Sequence, residues 1–99
     1  MENEASIYVA FHNKAGQLYT SLLNRFEDHC LTFNRRNDEY RFRELKEKYI
    51  NSLKQELQHE ASLLLQKYSY GSQLRETDQQ LNYYIKDYLH RFVQMVNNL

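Results

Sequence analysis

Apolar residues recur along the first third of the chain at Ile7, Phe11, Ala15, Leu18, Leu22, Phe26, Cys30 and Phe33. Steps of three and four hold them on one face of an α-helix, whose period is about 3.6 residues. The pattern predicts a helix over 4–33. Gly16 lies inside it, and a cost of about 1 kcal/mol relative to Ala is too small to end so long an element. Residues 7–11 could open as a strand, but the chain offers no second strand to pair with them.

Four polar residues, Asn34, Arg35, Arg36 and Asn37, interrupt the pattern. Asn37 is a favourable N-cap, and Asp38 and Glu39 then set negative charge in a first turn, where the helix dipole favours it. A second stripe follows at Phe42, Leu45, Tyr49, Leu53, Leu57, Ala61, Leu64 and Tyr68, widened by Ile50. It predicts a helix over 38–69, with Gly71 placed for a left-handed C-terminal cap. The third stripe is Leu81, Tyr84, Ile85, Tyr88, Phe92, Met95 and Leu99. Its helix starts at 73, capped by Ser72, or at 78, capped by Thr77 with Gln80 in a capping box, and runs to 97. Three long amphipathic helices with two short polar connections predict an all-α, up-down-up three-helix bundle with coiled-coil-like packing.

Composition narrows the picture. Ninety-nine residues, two glycines and no proline form one domain, 1–99, with few helix breakers. Thirteen basic and thirteen acidic side chains cancel, which argues against a general polyanion binder. No apolar run reaches the roughly 18 residues of a membrane span. The acidic start Met1-Glu2-Asn3-Glu4 lacks a signal peptide's basic n-region, and the single cysteine, Cys30, excludes an intrachain disulfide. The expectation is an intracellular, cytoplasmic protein.

The stripes are wider than one core needs. Tyr8, Tyr19, Leu23 and Leu31 on the first helix and Leu89 and Val93 on the third stand outside the main faces, and the run Leu63-Leu64-Leu65 widens the second. A chain this small buries only roughly two-thirds of its unfolded surface, so an apolar surplus marks a surface for a partner or a second copy. Nine tyrosines add to it. Tyr49, Tyr68, Tyr70, Tyr83, Tyr84 and Tyr88 are expected to meet near the second turn. Tyr70 and Tyr83, off the stripes, are candidate partner contacts.

Chemistry-bearing patterns are sparse. No Gly-rich phosphate loop or serine nucleophile elbow occurs, and no cofactor is implied. Glu56 and His59 share the Glu-x-x-His spacing of di-metal bundles, and Glu27 could add a carboxylate. These are the metal candidates, although Glu56 and His59 fall progressively off the face set by Leu53, Leu57 and Leu64. His12-Asn13-Lys14-Ala15-Gly16 is similar to the site of histidine-phosphotransfer domains, with the lysine one place early. Arg25 and His29 resemble the Arg-to-His motif of HEPN-type ribonucleases over a shorter gap. Neither family is carried over. His29 and His90 sit beside stripe positions and read as structural, as does Cys30.

The region around the first turn is the most suggestive. Residues 34–54 hold seven basic and four acidic side chains, with Tyr40 and Phe42 among Arg35, Arg36, Arg41, Arg43, Lys46 and Lys48. Arginine among aromatics suits phosphate or base stacking, whereas i,i+4 pairs such as Glu39 with Arg43 suit a solvated helix. With so small a surplus, an acidic protein partner fits better than nucleic acid. The sequence therefore predicts a non-enzymatic interaction module (adaptor, inhibitor or assembly subunit) that forms a homodimer or higher homo-oligomer. Its expected partner-binding residues are Arg35, Arg36, Arg41, Arg43, Tyr70, Tyr83, Leu89 and Val93. A metal-binding bundle and a nucleic-acid-associated protein are the alternatives.

Overall fold

The computed structural model describes residues 3–32, 38–68 and 74–98. They form three helices, α1 (Asn3–Cys30), α2 (Glu39–Tyr68) and α3 (Leu74–Asn97), and contain no strand. Every pair of helices is in contact, so the chain is an all-α three-helix bundle, a rod of 54 × 18 × 18 Å.

Side-chain pairs along the rod fix its direction. Phe26 of α1 meets Phe42 and Tyr49 of α2 edge-on, at 5.7 and 5.6 Å between ring centroids. Lys46 Nζ of α2 donates to Asn97 Oδ1 of α3 at 2.9 Å, so early α2 lies beside late α3. Along α1 and α3, Tyr8 meets Tyr84 and Tyr19 meets Phe92, so these two helices run the same way. Up, down, up is the result.

Local sequence explains the ends. α1 stops at Cys30, three residues short of the sequence expectation. Leu31 and Thr32 close on the carbonyls of Asp28 and His29, and the Thr32 hydroxyl also donates to the His29 carbonyl at 2.7 Å. These i→i−3 bonds satisfy carbonyls that a helix end leaves orphaned. At α2, Asp38 is the N-cap, since the Arg41 amide donates to its Oδ1 at 3.1 Å and the Phe42 amide to its carbonyl. A carboxylate there gains from the helix dipole as well as from the amide. Asn37, Ser72 and Gly71 lie outside the described residues. Thr77 does not start α3: the helix already runs from Leu74, and Thr77 is buried a turn inside it.

The core follows the stripes with one shift. Phe11, Phe26, Leu53, Leu57, Leu81, Phe92 and Val96 are its largest fully buried side chains. In α3 the last core position is Val96, at 0% exposure, while the stripe residue Met95 is 44% exposed. Steps of four from Leu81 to Ile85 and from Phe92 to Val96 carry the buried face one residue beyond a 3,4 alternation. The described residues bury no side-chain nitrogen or oxygen without a hydrogen-bond partner.

Candidate functional site

Two polar-aromatic seams flank the core. The first joins α1 to α3. His12, half-buried one position after Phe11, lies with its ring 4.5 Å from that of Tyr84, and its Nδ1 is 3.0 Å from the Tyr88 hydroxyl. Arg91 covers the Tyr88 ring at 5.0 Å and is held by Asp87, to which its Nε donates at 3.0 Å. Burial pushes the Tyr19 and Tyr88 hydroxyls above the ordinary tyrosine pKa, against the opposing pull of the Arg91 charge. The hydrogen bond to Asp87 raises Arg91 further. All of these contacts tie α1 to α3.

The second seam joins α1 to α2 at the opposite half of the rod. His29 Nδ1 is 2.6 Å from the Tyr49 hydroxyl, whose ring packs on Phe26. Among the described residues, Tyr49 therefore stands apart from Tyr83, Tyr84 and Tyr88, while Tyr70 and the side chain of Tyr68 lie outside the described set. Tyr49 pairs with the end of α1, and Tyr84 and Tyr88 pair with Tyr8 and Tyr19. The described residues place aromatic clusters on both sides of α1, because its rings point to both neighbours. Sequence reasoning placed His12 beside Phe11 but missed both long-range His–Tyr hydrogen bonds. A histidine one position off a stripe, with unassigned tyrosines on another helix, was the available signal.

Beside this seam is an open hollow lined by His29, Thr32, Arg41, Glu44, Leu45 and Lys48. Its cations are diluted by partners: Arg41 faces Asp38 at 4.0 Å, and Glu44 accepts from Tyr40, which raises the Tyr40 hydroxyl pKa. Lys46 is drawn to Asn97 and lies 5.9 Å from the Phe42 ring centroid. Arg43 is exposed on α2. Arg35, Arg36 and Tyr70 lie outside the described residues. A second open hollow, between α1 and α3, is lined by Tyr19, Arg91, Gln94, Met95, Asn97 and Asn98.

The remaining sequence-singled residues separate into two groups. Tyr83 is 65% exposed, as a partner contact requires. Leu89 is instead half-buried against the core, and so are Tyr8, Tyr19, Leu23, Leu64 and Leu65, so much of the apolar surplus is spent inside the bundle. Val93 is half-buried. His90 stands exposed rather than packed. Left in solvent are Val9, Leu31, Tyr40, Leu63, Tyr83 and Met95.

Glu27, Glu56 and His59 are all exposed and are not brought together. Glu27 follows Phe26, which packs on Tyr49, while Glu56 lies seven residues further along α2, about 10 Å away along the axis. Among the described residues no group of three or more His, Cys, Asp or Glu is arranged to hold a metal ion. No described helix is long and apolar enough to cross a membrane. Comparison with protein-family models, with curated protein sequences and with solved structures finds no match to this chain.

Proposed function

We propose that this protein is a non-enzymatic helical interaction module, an adaptor, inhibitor or assembly subunit, that associates with itself. The observation that carries the reading is the set of large apolar side chains that remain in solvent on a bundle whose core is already filled. Val9, Tyr40, Leu63, Tyr83 and Met95 distribute them over all three helices, and Leu31 sits just past α1. Covering such side chains is favourable by about 25 cal/mol per Å² of apolar surface removed from water. The hollow at Arg41 and Lys48 adds a mildly basic surface for an acidic partner.

The test combines three measurements on the purified chain: sedimentation equilibrium, hydrophobic-dye fluorescence, and retention of a defined partner from the native host by the tagged chain. The module reading expects dye binding together with a saturable partner or a concentration-dependent mass. A strict monomer that binds neither dye nor partner overturns it.

A further inference from the structure

We propose that the hollow between the end of α1 and the start of α2 seats a carboxylate side chain from an acidic segment of the partner. This rests on the interaction-module reading and gives its acidic partner one defined point of contact. The hollow has a volume of about 260 Å³. His29 of α1 and Thr32 just past it form one wall, and Arg41, Glu44, Leu45 and Lys48 of α2 form the other.

The donors come from both helices. Arg41 and Lys48 are seven residues apart, two turns along one face of α2. Spacing alone would pair Lys48 with Glu44, one turn earlier. Glu44 accepts a hydrogen bond from Tyr40, and among the described residues Lys48 makes no ion pair. Lys48 thus brings an uncompensated ammonium to the wall.

His29 supplies the second donor. Its Nδ1 meets the Tyr49 hydroxyl at 2.6 Å, so Nε2 is the nitrogen left for a ligand. A hydroxyl that donates to Nδ1 sets the ring hydrogen on Nε2, and a protonated ring carries one there too. A carboxylate oxygen at Nε2 favours these same forms, so Tyr49 and the ligand reinforce each other. At the negative end of α1, the carbonyls of Asp28 and His29 are already covered by the amides of Leu31 and Thr32 and by the Thr32 hydroxyl.

Charge selects the occupant. Two cations, Arg41 and Lys48, against one anion, Glu44, leave the walls with one net positive charge when His29 is neutral. Asp38, 4.0 Å from Arg41, takes up part of that guanidinium's charge, so Lys48 and His29 carry the contact. A single carboxylate matches this balance. A phosphate dianion would bring a second negative charge against Glu44.

The probe is a hexaglutamate peptide, titrated into the full chain at about 0.15 M salt, where exposed charges interact over about 8 Å. Expected are saturable NMR shifts at His29, Thr32 and Lys48. Lys48→Glu, at an exposed position of α2, should weaken peptide binding about tenfold with unchanged circular dichroism. Lys86→Glu makes the same charge change at an exposed position of α3 outside the hollow, and should alter binding less than about twofold. Should Lys48→Glu disturb α2, Lys48→Gln must give a loss of about threefold to fivefold.

Shifts that do not saturate overturn the seat, as does equal weakening by Lys48→Glu and Lys86→Glu. Tighter binding of inorganic phosphate than of the peptide overturns the carboxylate assignment. A chain that fails these tests yet binds dye and retains a partner keeps the module reading on another surface. A strict monomer that binds no dye, partner or peptide loses both.

Discussion

His12 and Tyr88, 76 residues apart in sequence, share a hydrogen bond of 3.0 Å from imidazole Nδ1 to phenol oxygen, and Arg91 lies over the same phenol ring. The contact ties α1 to α3, which run parallel and are joined only through α2. It sits at the half-wet margin of the core, where a tyrosine can bury its ring and still satisfy its hydroxyl. A matching bond from His29 to Tyr49 ties the other end of α1 to α2. The two histidines thus pin α1 to both neighbours at opposite ends of the rod.

Tyr88→Phe keeps the ring packing on Phe11 and Tyr19 and removes only the hydroxyl. His12 is half-buried and can recover part of its hydrogen bonding from water. The expected loss is therefore about 0.5–1.5 kcal/mol of unfolding free energy, read by urea denaturation with an unchanged m-value. In a double-mutant cycle with His12→Ala, a coupling near zero would mean that the bond contributes nothing in solution.

The fold was legible because its core positions obey helical steps without exception in α2, where Phe42, Tyr49, Leu53, Leu57 and Ala61 are all buried. The register of α3 was less so. Met95 and Val96 are adjacent and both apolar, and one-residue choices at a helix end turn on where the neighbouring helix stops. The surface was read least well. Leu23, Leu65 and Leu89 look like surplus because a stripe drawn as a line ignores side chains that lean in from the flanks. Three helices packed about one axis use a wider arc than one helix on a sheet. Nor could sequence spacing say which helix Tyr49 or Tyr88 would meet.

Alkali should weaken the bundle. Burial raises the hydroxyl pKa of Tyr19 and Tyr88 above the unfolded value of 10.0. As pH rises past that value the unfolded chain releases these protons while the folded chain still holds them. Stability is therefore full well below pH 10, falls as pH rises past 10, and levels off once the folded groups ionise too. Tyr19→Phe with Tyr88→Phe should flatten this decline in urea titrations run across the same range. A decline of unchanged depth in the double variant would assign it to other groups.

Asp38 carries the start of α2 through a side-chain bond to the Arg41 amide. Asp38→Ala removes the cap and the favourable charge at the dipole's positive end, for a loss of about 1 kcal/mol. Asp38→Asn keeps the acceptor and should recover most of it. If both variants lose equally, the charge matters and the hydrogen bond does not.

Gly16→Ala should stabilise the single bundle by about 0.5–1 kcal/mol, since α1 is continuous through position 16 and a methyl group there meets nothing. Thermal unfolding at a dilution where the chain is monomeric reads the gain directly. A loss instead would mean that the backbone at Gly16 is not helical in solution.

The end of α3 offers the sharpest discrimination between neighbouring residues. Val96 is fully buried and Met95 is 44% exposed, although the 3,4 pattern favours Met95 for the core. Val96→Ala removes two buried methyl groups and leaves a small cavity, a cost of about 2 kcal/mol. Met95→Ala strips a side chain that already faces water and should cost less than about 0.5 kcal/mol. Because the two positions are adjacent, differences in propensity or fraying at the helix end affect both alike, and the contrast isolates the register. Equal losses would mean that the last turn of α3 frays away from α1 and α2. A reversed order would rotate the helix by about 100° and return Met95 to the core face.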